Sequence, residues 1–451
     1  MKTINLPEAV HEIIRALNRA GFEAYIVGGC VRDSLLGREP KDWDITTSAR
    51  PEDVKALFPY TFDTGIKHGT ITVRRGGESY EVTTYRVDGN YSDHRRPDQV
   101  AFSSSLKEDL LRRDFTINAM AYHPETGLVD MYQGLRDLEQ GVIRCVGNAA
   151  DRFQEDALRM LRAVRFSAQL GFSIDPVTYR AIGLLKDLIR HVSWERIRDE
   201  MTKILISEHP EVIRQVHETG LMRHIIPEWD AMAGTTQNHP YHLYTVAEHT
   251  VRAVCSIEAD PVLRWTMLLH DIGKPSAHSV DTRGIDHFVG HVEEGVVLAG
   301  RVLNRLKFDN NSKFRILSLI RYHESHPVLS HRFIRRITAS IGQDLYLDLL
   351  KVQEADAKAK NPEYGTAELE IIRQSRAMFE EMMRNGDPVS LRQLAVSGQD
   401  LIDLGFERGP VIGRVLQLLL EQTLEDPSLN RREFLLEVAQ KLLESGRFLQ
   451  N

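Results

Sequence analysis

The sequence predicts an α+β domain, a small mixed sheet with helices packed on it, followed by an all-α body. Three observations predict this class. Up to about residue 146, short segments with strand-like patterning alternate with amphipathic helices. Beyond residue 148 the apolar residues recur at helical spacing, and no further strand pattern is visible. The 451 residues also exceed what one hydrophobic core usually organises, so we expect several domains.

Each element of the first part follows from its local pattern. Residues 7–19 place Ile13 and Ile14 on one helical face, and a second helix begins at Pro51. Strands are expected in EAYIVG and DWDITTS, in LVDMY and VIRCVG, and in the hairpin GTITVRRGGESYEVTTYR, which turns at Gly76-Gly77.

The helical body contains breaks that suggest domain boundaries. The segment DRFQEDALRMLRAVRFSAQLGF, which begins at residue 151, has helical spacing along its whole length. We expect a head (1–147), a helical neck (148–234), a helical domain that contains a cluster of histidines (235–362) and a helical tail (363–451).

Composition narrows the class of protein. Hydrophobic residues make up 42% and charged residues 27%, no apolar run reaches membrane-spanning length, and the N-terminal segment has no signal-peptide core. We therefore expect a soluble cytoplasmic protein. Three cysteines without C-x-x-C spacing indicate neither a disulfide scaffold nor a thiolate zinc site. The net charge of −7 argues against a protein that coats nucleic acid, although a local basic groove is compatible with it.

Two aspartates stand where a core strand would carry apolar residues. In DWDITTS, Asp42 and Asp44 point to the same face of the expected strand. Adjacent like charges repel unless a cation lies between them, and carboxylate oxygens are preferred ligands of Mg²⁺. Glu81 joins the cluster if its strand lies beside the first one. The alternative is a pair of acidic side chains at a strand end on the surface.

The glycines before the aspartates suit phosphate binding. Gly28 and Gly29 end one strand and open a helix, so the backbone can approach a phosphate closely near free N–H groups. Arg32 lies on the first turn of that helix. Hydrogen-bond donors to a phosphate, followed in the sequence by metal ligands, indicate metal-assisted phosphoryl or nucleotidyl transfer.

The stretch VGGCVRDSLLG…DWDITTS resembles the head signature of class II, eubacterial-type tRNA nucleotidyltransferases, the CCA-adding enzymes, which bacterial poly(A) polymerases share. The resemblance implies a polymerase-β-like palm in which the two aspartates hold Mg²⁺ while the glycines and Arg32 contact the incoming triphosphate. RRDFTINAM (112–120) resembles a second motif of this family. There Arg113 could bind triphosphate and Asn118 could bond a ribose or hold the loop, whereas Asp114 could simply cap a surface helix.

A third motif concerns the choice of base. Asp156 and Arg159 are three residues apart, so they share a face if the segment is helical, and Arg162 and Arg165 continue the row toward the triphosphate. A carboxylate only accepts and a guanidinium only donates hydrogen bonds, which complements the pairing edges of cytosine and adenine but not of uracil and guanine. The resemblance assigns this role to Glu155-Asp156…Arg159. The alternative is an ion pair on a solvated face.

Two weaker matches lie nearby. Residues 86–102 resemble the flexible loop that terminal A addition requires, and they could equally be an ordinary surface loop. The segments VDMYQGLRDLEQG, with Asp130 and Asp137, and SWERIRDE, with Glu195 and Arg198, fit family motifs that we interpret as hinge and neck elements.

The histidine cluster resembles the HD superfamily of metal-dependent phosphohydrolases. His249, the pair His270-Asp271 and Asp356 follow one another on three expected helices, and His291 and His323 could complete a larger site. Imidazole and carboxylate ligands suit a divalent transition metal. The resemblance implies a metal site, and hydrolase activity on cyclic phosphates or damaged RNA ends is a separate expectation.

Taken together, these residues predict an enzyme that adds C and A from CTP and ATP to the 3′ end of tRNA. The glycine-rich turn at 405–413 is expected near the tRNA, although it could equally be a helix stop. An A-adding enzyme and a poly(A) polymerase remain alternatives, and so does an HD phosphohydrolase with a nucleotide-binding head. No membrane partner is expected, and the oligomeric state is not predicted.

Overall fold

A computed structural model describes residues 3–88, 100–325 and 329–445 of the chain. The chain divides into two compact units, Met1–Asp230 and Ala231–Asn451. The first contains a mixed sheet with helices and the second is mainly helical, which confirms the predicted α+β head followed by a helical body. The finer division into four domains stays a prediction. Residues 89–99, most of the expected flexible loop, lie outside the described residues.

The first unit is built on a mixed sheet of seven strands within the described residues, in the order β3-β4-β5-β2-β1-β8-β9. Strands β2 and β5 pair in parallel and the other neighbours pair antiparallel. The strands of this sheet are β1 (Ala24–Val27), β2 (Ile45–Thr47), β3 (Thr61–Gly65), β4 (Thr70–Arg75), β5 (Glu78–Thr84), β8 (Met120–His123) and β9 (Gly127–Asp130). The short pairs β6 (Arg86–Asp88) with β7 (Val100–Phe102), and β10 (Val142–Ile143) with β11 (Ser173–Ile174), lie outside it.

The hairpin between β4 and β5 turns where the sequence predicts it, whereas strand β2 is shorter than the sequence predicts. Gly76 and Gly77 both have positive φ, 61° and 88°, as a tight two-residue turn between β4 and β5 requires. Strand β2 is shorter than predicted, because it begins at Ile45, so Asp42 and Asp44 precede it and lie outside the strand. Its neighbour β1 ends at Val27, whose N–H donates to the Asp44 carbonyl at 3.0 Å, and no partner strand continues beyond that bond.

Helices cover the sheet and form the neck. In the first unit they are α1 (Glu8–Arg19), α2 (Gly29–Leu35), α3 (Pro51–Leu57), α4 (Leu106–Leu111), α5 (Gly134–Gln140), α6 (Ala149–Glu155), α7 (Leu158–Leu170), α8 (Pro176–Leu185), α9 (Trp194–Leu205), α10 (Ile213–Glu218) and α11 (Met222–Ile225), and α12 (Glu228–Gly234) crosses the boundary between the units. The expected helix at 151–172 is wrong as a single element, because Asp156 is extended (φ −137°, ψ 103°) between α6 and α7.

The second unit is a set of helices with a small hairpin. Its helices are α13 (Val246–Cys255), α14 (Pro261–Leu269), α15 (His291–Arg305), α16 (Asn310–Tyr322), α17 (His331–Ile341), α18 (Gln343–Ala359), α19 (Pro362–Asn385), α20 (Gly398–Asp403), α21 (Pro410–Glu425) and α22 (Arg432–Ser445). The hairpin pairs β12 (Ser279–Val280) with β13 (Asp286–His287). Together with β11, it corrects the expectation that no strand follows residue 148; strands of two residues are too short to show a periodic pattern.

Side-chain caps fix several helix starts near the second candidate site. Thr245 accepts from the Glu248 N–H at the start of α13, and Asp260 accepts from the Leu263 N–H before Pro261 opens α14. The apolar side chains of α14, such as Trp265 and Leu268, are fully buried. Among the described residues, no helix combines the length and the apolar character that crossing a membrane requires.

Candidate active site and candidate metal centre

Three carboxylates of the head lie together at the start of β2. Ile45 pairs with Val82 in the parallel ladder, which places Asp44 beside Glu81 on the adjacent strand. Burial raises the pKa of Asp44, and the nearby charges of Glu81 and Asp42 raise it further, against the opposing effect of Arg113. Within the described part of the chain, none of the three carboxylates makes a side-chain hydrogen bond or an ion pair. The cluster therefore offers free oxygen ligands beside one guanidinium.

The glycine turn brings backbone and arginine close together. Gly28 adopts φ 82° and ψ −132° between β1 and α2, a conformation open mainly to glycine. A Cβ at this position would lie 3.0 Å from an Arg113 guanidinium nitrogen. The N–H of Gly28 donates to the Met120 carbonyl, so it is already used, whereas Gly29 occupies the first helical position, whose N–H has no partner within a helix.

A continuous chain of polar contacts crosses the site from α2 to α7. Arg32 donates to the side-chain oxygen of Asn118 at 2.7 Å, and the Asn118 amide donates to Asp114 at 3.0 Å. Arg162 donates to the other oxygen of Asp114 from two of its nitrogens, at 2.9 and 2.5 Å. Burial would raise the pKa of Asp114, but Arg162 and Asn118 outweigh it and lower that pKa well below its usual value. Asp114 thus fixes the helix-borne arginine, and it is not a surface cap.

One aromatic ring lies among three arginines of the site. The Phe166 ring centroid is 5.1 Å from the guanidinium carbon of Arg32, 5.5 Å from that of Arg162 and 4.0 Å from that of Arg165. Arg165 also forms an ion pair with the buried Glu200 at 2.9 Å. Burial and the neighbouring Arg162 lower the pKa of Arg165 to about 10. Three of the four arginines predicted to contact the triphosphate are therefore gathered around a single ring.

Asp156 and Arg159 form other ion pairs than the one between them that the alternative interpretation required. Arg159 binds Glu155 at 2.6 Å and the Arg112 carbonyl at 2.9 Å, whereas Asp156 accepts from Arg196 at 2.8 and 3.3 Å. The reason is the break between α6 and α7, which removes the shared helical face on which the prediction depended. Both side chains remain next to the polar chain of Asp114 and Arg162, since both residues influence the charges there.

Sequence reasoning missed three residues that hold this site together. Asp109 is fully buried, accepts from Thr46 at 3.1 Å and pairs with Arg112 at 2.7 Å and Arg113 at 3.4 Å. Arg196 and Glu200 on α9 anchor Asp156 and Arg165. The spacing of Asp109 four residues before Arg113 was a readable signal. On α9 the family resemblance pointed instead to Glu195 and Arg198, the latter paired with its neighbour Asp199.

The second unit brings six predicted metal-binding residues together. His249 lies on α13, Asp356 on α18 and His291 at the start of α15, while His270 and His323 directly follow α14 and α16. All six side chains, those of Asp271 included, are buried. Histidine and aspartate side chains from helix ends and from within helices therefore meet at one buried place.

The histidine rings share one orientation. The Nδ1 atoms of His270, His291 and His323 lie 2.8, 2.8 and 2.6 Å from backbone carbonyls, and that of His249 lies 3.4 Å from one. A carbonyl only accepts, so each Nδ1 carries a proton and each Nε2 is the ring nitrogen that faces the carboxylates. A metal ion bound at an Nε2 atom would require that nitrogen to be deprotonated.

Asp271 lies at the centre of the cluster. One of its oxygens is 3.2 Å from His270 Nε2 and 3.5 Å from His249 Nε2, and the other is 3.7 and 3.8 Å from His291 and His323 Nε2. Two triads of ligand atoms, each within 4.8 Å of one another, thus share this carboxylate. Asp356 lies 2.9 Å from His249 Nε2 on the first side.

One buried lysine and one partly exposed lysine lie beside the aspartates. Lys274 lies 2.7 Å from Asp271, and Lys360 lies 2.9 Å from Asp356. A cavity of about 890 Å³ opens beside the cluster, and His287, Arg321 and Glu368 are among the residues that line it. The centre is accordingly reachable by a molecule larger than a metal ion.

Three family models match successive parts of the chain. The poly A polymerase head domain matches residues 24–144, the probable RNA- and SrmB-binding site of polymerase A matches residues 171–232, and the HD domain matches residues 241–361. The mixed sheet with its acidic cluster and the first of these matches define the class of the first unit: it contains a poly A polymerase head domain, and the same polypeptide contains an HD domain.

Curated relatives and solved structures define the family. A CCA-adding enzyme of Lactiplantibacillus plantarum is 36% identical over 440 residues, 97% of each chain. One of Lactobacillus gasseri is 51% identical over 229 residues, so the match spans 50% of this chain and just over half, 58%, of that relative. The structure of the Bacillus stearothermophilus CCA-adding enzyme in complex with CTP matches 98% of each chain, with 29% identity and a TM-score of 0.72. The chain belongs to the CCA-adding enzyme family.

Proposed function

We propose that this protein adds C and A from CTP and ATP to the 3′ end of tRNA. The observation that carries the proposal is the strand register that places Glu81 beside Asp44, next to the Gly28 turn and Arg113. The relatives named CCA-adding enzyme support the substrates, and the Bacillus stearothermophilus structure in complex with CTP supports CTP in particular. The reaction joins the tRNA 3′ oxygen to the α-phosphate and releases pyrophosphate.

Asp42, Asp44 and Glu81 fit Mg²⁺. Their oxygens are hard ligands without a partner in the described chain. Burial and their mutual repulsion raise the pKa of Asp44, a cost that a bound cation would offset. When bound, Mg²⁺ supplies a Lewis acid that favours the deprotonated 3′ hydroxyl and neutralises charge on the leaving pyrophosphate. Arg113 adds a fixed positive charge on the same side.

The remaining arginines are proposed to hold the triphosphate. Gly28 lacks a side chain that would block its approach, Gly29 opens α2, and Arg32, Arg162 and Arg165 surround Phe166 at one wall. Asn118 and Asp114 fix the positions of Arg32 and Arg162. Such positioning reduces the entropy that the two reactants lose on reaching the transition state.

Asp156 and Arg159 are proposed to choose the base. In this proposal Asp156 accepts from the exocyclic amino group of C or A, and Arg159 donates to the adjacent ring nitrogen. Arg196 on Asp156 and Glu155 on Arg159 hold the two side chains apart, so that neither neutralises the other. A uracil or guanine edge would leave two polar groups mismatched, at a cost of about 1–3 kcal/mol each.

The test of this function measures product lengths. Purified protein receives a tRNA without CCA, a tRNA that ends in CC, or a generic RNA, each with CTP, ATP or both. We expect the tRNA without CCA to end in CCA when both nucleotides are present, and the CC-ended tRNA to end in CCA when ATP is present. Asp44→Asn should lower the rate of addition by about 10³-fold, since metal stabilisation is worth several kcal/mol.

One control variant and the pattern of products distinguish this function from its alternatives. Asp63→Asn, which removes an exposed ion pair with Lys55 in the same unit, should leave addition unchanged. Long A tails on the generic RNA would indicate a poly(A) polymerase, and extension of only the CC-ended tRNA would indicate an A-adding enzyme. Wild-type rates from Asp44→Asn would overturn the palm assignment.

We propose secondly that the HD domain binds divalent transition metals and hydrolyses phosphoesters. The observation that favours it is the convergence of four Nε2 atoms on Asp271, including that of His291, which is buried and makes no hydrogen bond within the described chain. Imidazole nitrogens with shared carboxylates fit such metals, which would supply an activated water. His249, His270 and Asp356 would complete one half, and His291 and His323 the other. Cyclic phosphates or damaged RNA ends are the proposed substrate class.

Metal stoichiometry tests the HD proposal. After incubation with Ni²⁺ or Mn²⁺ and desalting, elemental analysis should find about two ions per chain in the wild type, one in His291→Ala and none in Asp271→Ala. Addition of CCA should stay at the wild-type rate in these variants, and His287→Ala, an exposed histidine near the cavity, is the control. Absence of bound metal in the wild type would contradict the site.

The compartment also remains a proposal. All three cysteines are free thiols, two of them buried, which agrees with a reducing environment such as the cytoplasm.

A further inference from the structure

One face of the head sheet, over β5, β4 and β3, points away from the helix α3 that packs on the other face. The opposite face of these strands carries the buried side chains of Ile71, Val73 and Val82, against which α3 packs. Since side chains alternate along a strand, Thr72, Arg74 and Glu81 point the other way. One face of these strands therefore belongs to the hydrophobic core, and the other face points away from it.

A straight row of residues, exposed at Glu81 and Phe62 and buried at Thr72, crosses this face. Asp44 lies beside Glu81, Glu81 pairs with Thr72, and Thr72 pairs with Phe62 on the edge strand β3. Directly opposed residues point to the same side, so the side chains of Glu81, Thr72 and Phe62 belong to one line, and Asp44 lies at its end beside Glu81. Three strand spacings separate its ends, about 14 Å. Phe62 is thus aligned with the proposed catalytic carboxylates at the distance of about four stacked nucleotides.

The proposed triphosphate groups lie on the other side of β2. Gly28 follows β1 and Asn118 precedes β8, and in the sheet order both strands come after β2, whereas β5, β4 and β3 come before it. In-line transfer requires the attacking oxygen and the leaving pyrophosphate on opposite sides of the α-phosphate. The strand that carries the attacking hydroxyl must consequently approach from the side of β5, β4 and β3.

The far end of the row has the composition of a nucleic-acid surface. Phe62 is 51% exposed and Tyr60 is 70% exposed, and the Tyr60 carbonyl accepts from the Arg74 N–H at 2.9 Å. The guanidinium of Arg74 is exposed and has no acidic or hydrogen-bonding partner within the residues that the structure describes. A groove of about 520 Å³ runs between Tyr60, Arg74 and the Gly76-Gly77 turn. Exposed rings stack bases, and an unpaired arginine attracts phosphate.

We propose that Tyr60, Phe62 and Arg74 form a binding surface for the RNA strand behind its reacting 3′ end. The inference rests on the proposed nucleotide addition, whose carboxylates define the start of the row. The two rings stack on bases or sugars of the acceptor strand, and Arg74 contacts its phosphates. This surface recognises the RNA without reading its sequence, because every base presents a π-face and every nucleotide a phosphate.

The experiment separates RNA binding from nucleotide binding. Steady-state rates are measured for Phe62→Ala, Tyr60→Ala and Arg74→Ala with varied tRNA lacking CCA at saturating CTP, and with varied CTP at saturating tRNA. We expect KM for tRNA to rise about tenfold for each aromatic variant, with KM for CTP unchanged. Arg74→Ala should also flatten the dependence of tRNA binding on salt.

Conservative variants and an unrelated ring complete the design. Phe62→Trp should keep the wild-type KM for tRNA, whereas Phe62→Leu should raise it. This comparison separates stacking from general apolar contact. Phe314→Ala removes a phenylalanine of similar exposure, 58%, from α16 and should change neither constant. Thermal unfolding of each variant identifies any loss of folded protein.

Three outcomes would overturn the inference. They are an unchanged KM for tRNA, an equal rise in KM for CTP, and a shift in oligomeric state by light scattering that accounts for the lost activity, which would assign the surface to a second copy. A wild-type protein that extends no RNA would instead refute the proposed function, so the two failures are distinguishable.

Discussion

Asp114 links two of the recognised motifs through one carboxylate. It accepts from Asn118 on one oxygen and from Arg162 on the other, and only 8% of the residue is exposed. The sequence offered two roles for this residue, a contact at the active site and a helix cap. The contacts favour the first, because its partners are the predicted nucleotide-binding residues of α7 and of the turn before β8.

We expect Asp114→Asn to destabilise the protein by about 2 kcal/mol at neutral pH. Removal of one partner from a buried ion pair typically costs more, but Arg162 keeps 32% of its side chain exposed and is partly solvated. The lowered pKa of Asp114 sets the pH dependence. Its stabilisation is present above the unfolded value near pH 4 and is lost as the pH falls toward the folded value.

Urea unfolding of both proteins at several pH values checks this expectation. The difference between wild type and Asp114→Asn should be constant between about pH 5 and 8 and should shrink below about pH 4. Asp63→Asn, whose carboxylate is 47% exposed beside Lys55, serves as the matched control and should change stability by less than about 0.5 kcal/mol. A difference that persists unchanged at low pH would show that the Asp114 charge is not responsible.

The break between α6 and α7 shows what periodicity cannot predict. The letters RFQEDALRMLRAVRF satisfy helical spacing without a glycine or a proline. Asp156 nonetheless leaves the helical conformation, caps the Leu158 N–H with its own carboxylate at 3.1 Å and accepts from Arg196 on α9. The first contact is a local cap at the start of α7, and the second comes from a helix forty residues away, so local propensity and tertiary structure together set the break.

We expect Arg196→Ala to weaken base selection more than catalysis. The Asp156 carboxylate would lose both of its guanidinium donors and gain freedom to rotate, so mismatched pairing edges would be rejected less strongly. The ratio of kcat/KM for CTP to that for UTP should fall about tenfold.

Arg198→Ala on the same helix is the control for this prediction. Its guanidinium pairs with the neighbouring Asp199 instead of with Asp156, so discrimination should be preserved. A uniform loss of rate with both nucleotides in Arg196→Ala, at unchanged discrimination, would mean that the ion pair is only structural.

At the scale of the whole molecule, each of the two units contains one candidate site. Their general nature could be predicted from sequence, because Asp42, Asp44 and the His270-Asp271 pair lie in short motifs whose chemistry is local. The order of helices around the histidines and the hairpin at Gly76-Gly77 followed from spacing alone.

Other parts of the sites depended on contacts distant in sequence. The parallel pairing of β2 with β5 was needed to bring Glu81 to Asp44, and the sequence could state it only as a condition. Glu200 and Arg196 carry no local motif, and their roles become visible only when α9 packs against α7. Tyr60 and Phe62 lie at an edge strand whose register alone aligns them with the carboxylates.

The sharing of Asp271 between two ligand triads constrains how such a protein can change over generations. A substitution of Asp271 removes a ligand from both triads, so selection on all four histidines is relaxed at once. A substitution of His323 affects only the triad that contains His291. In related proteins that lack an acid at this place, all four histidines should have drifted together, and chains that retain the acid but only one histidine pair should be found beside them. A broad alignment of relatives would reveal either pattern.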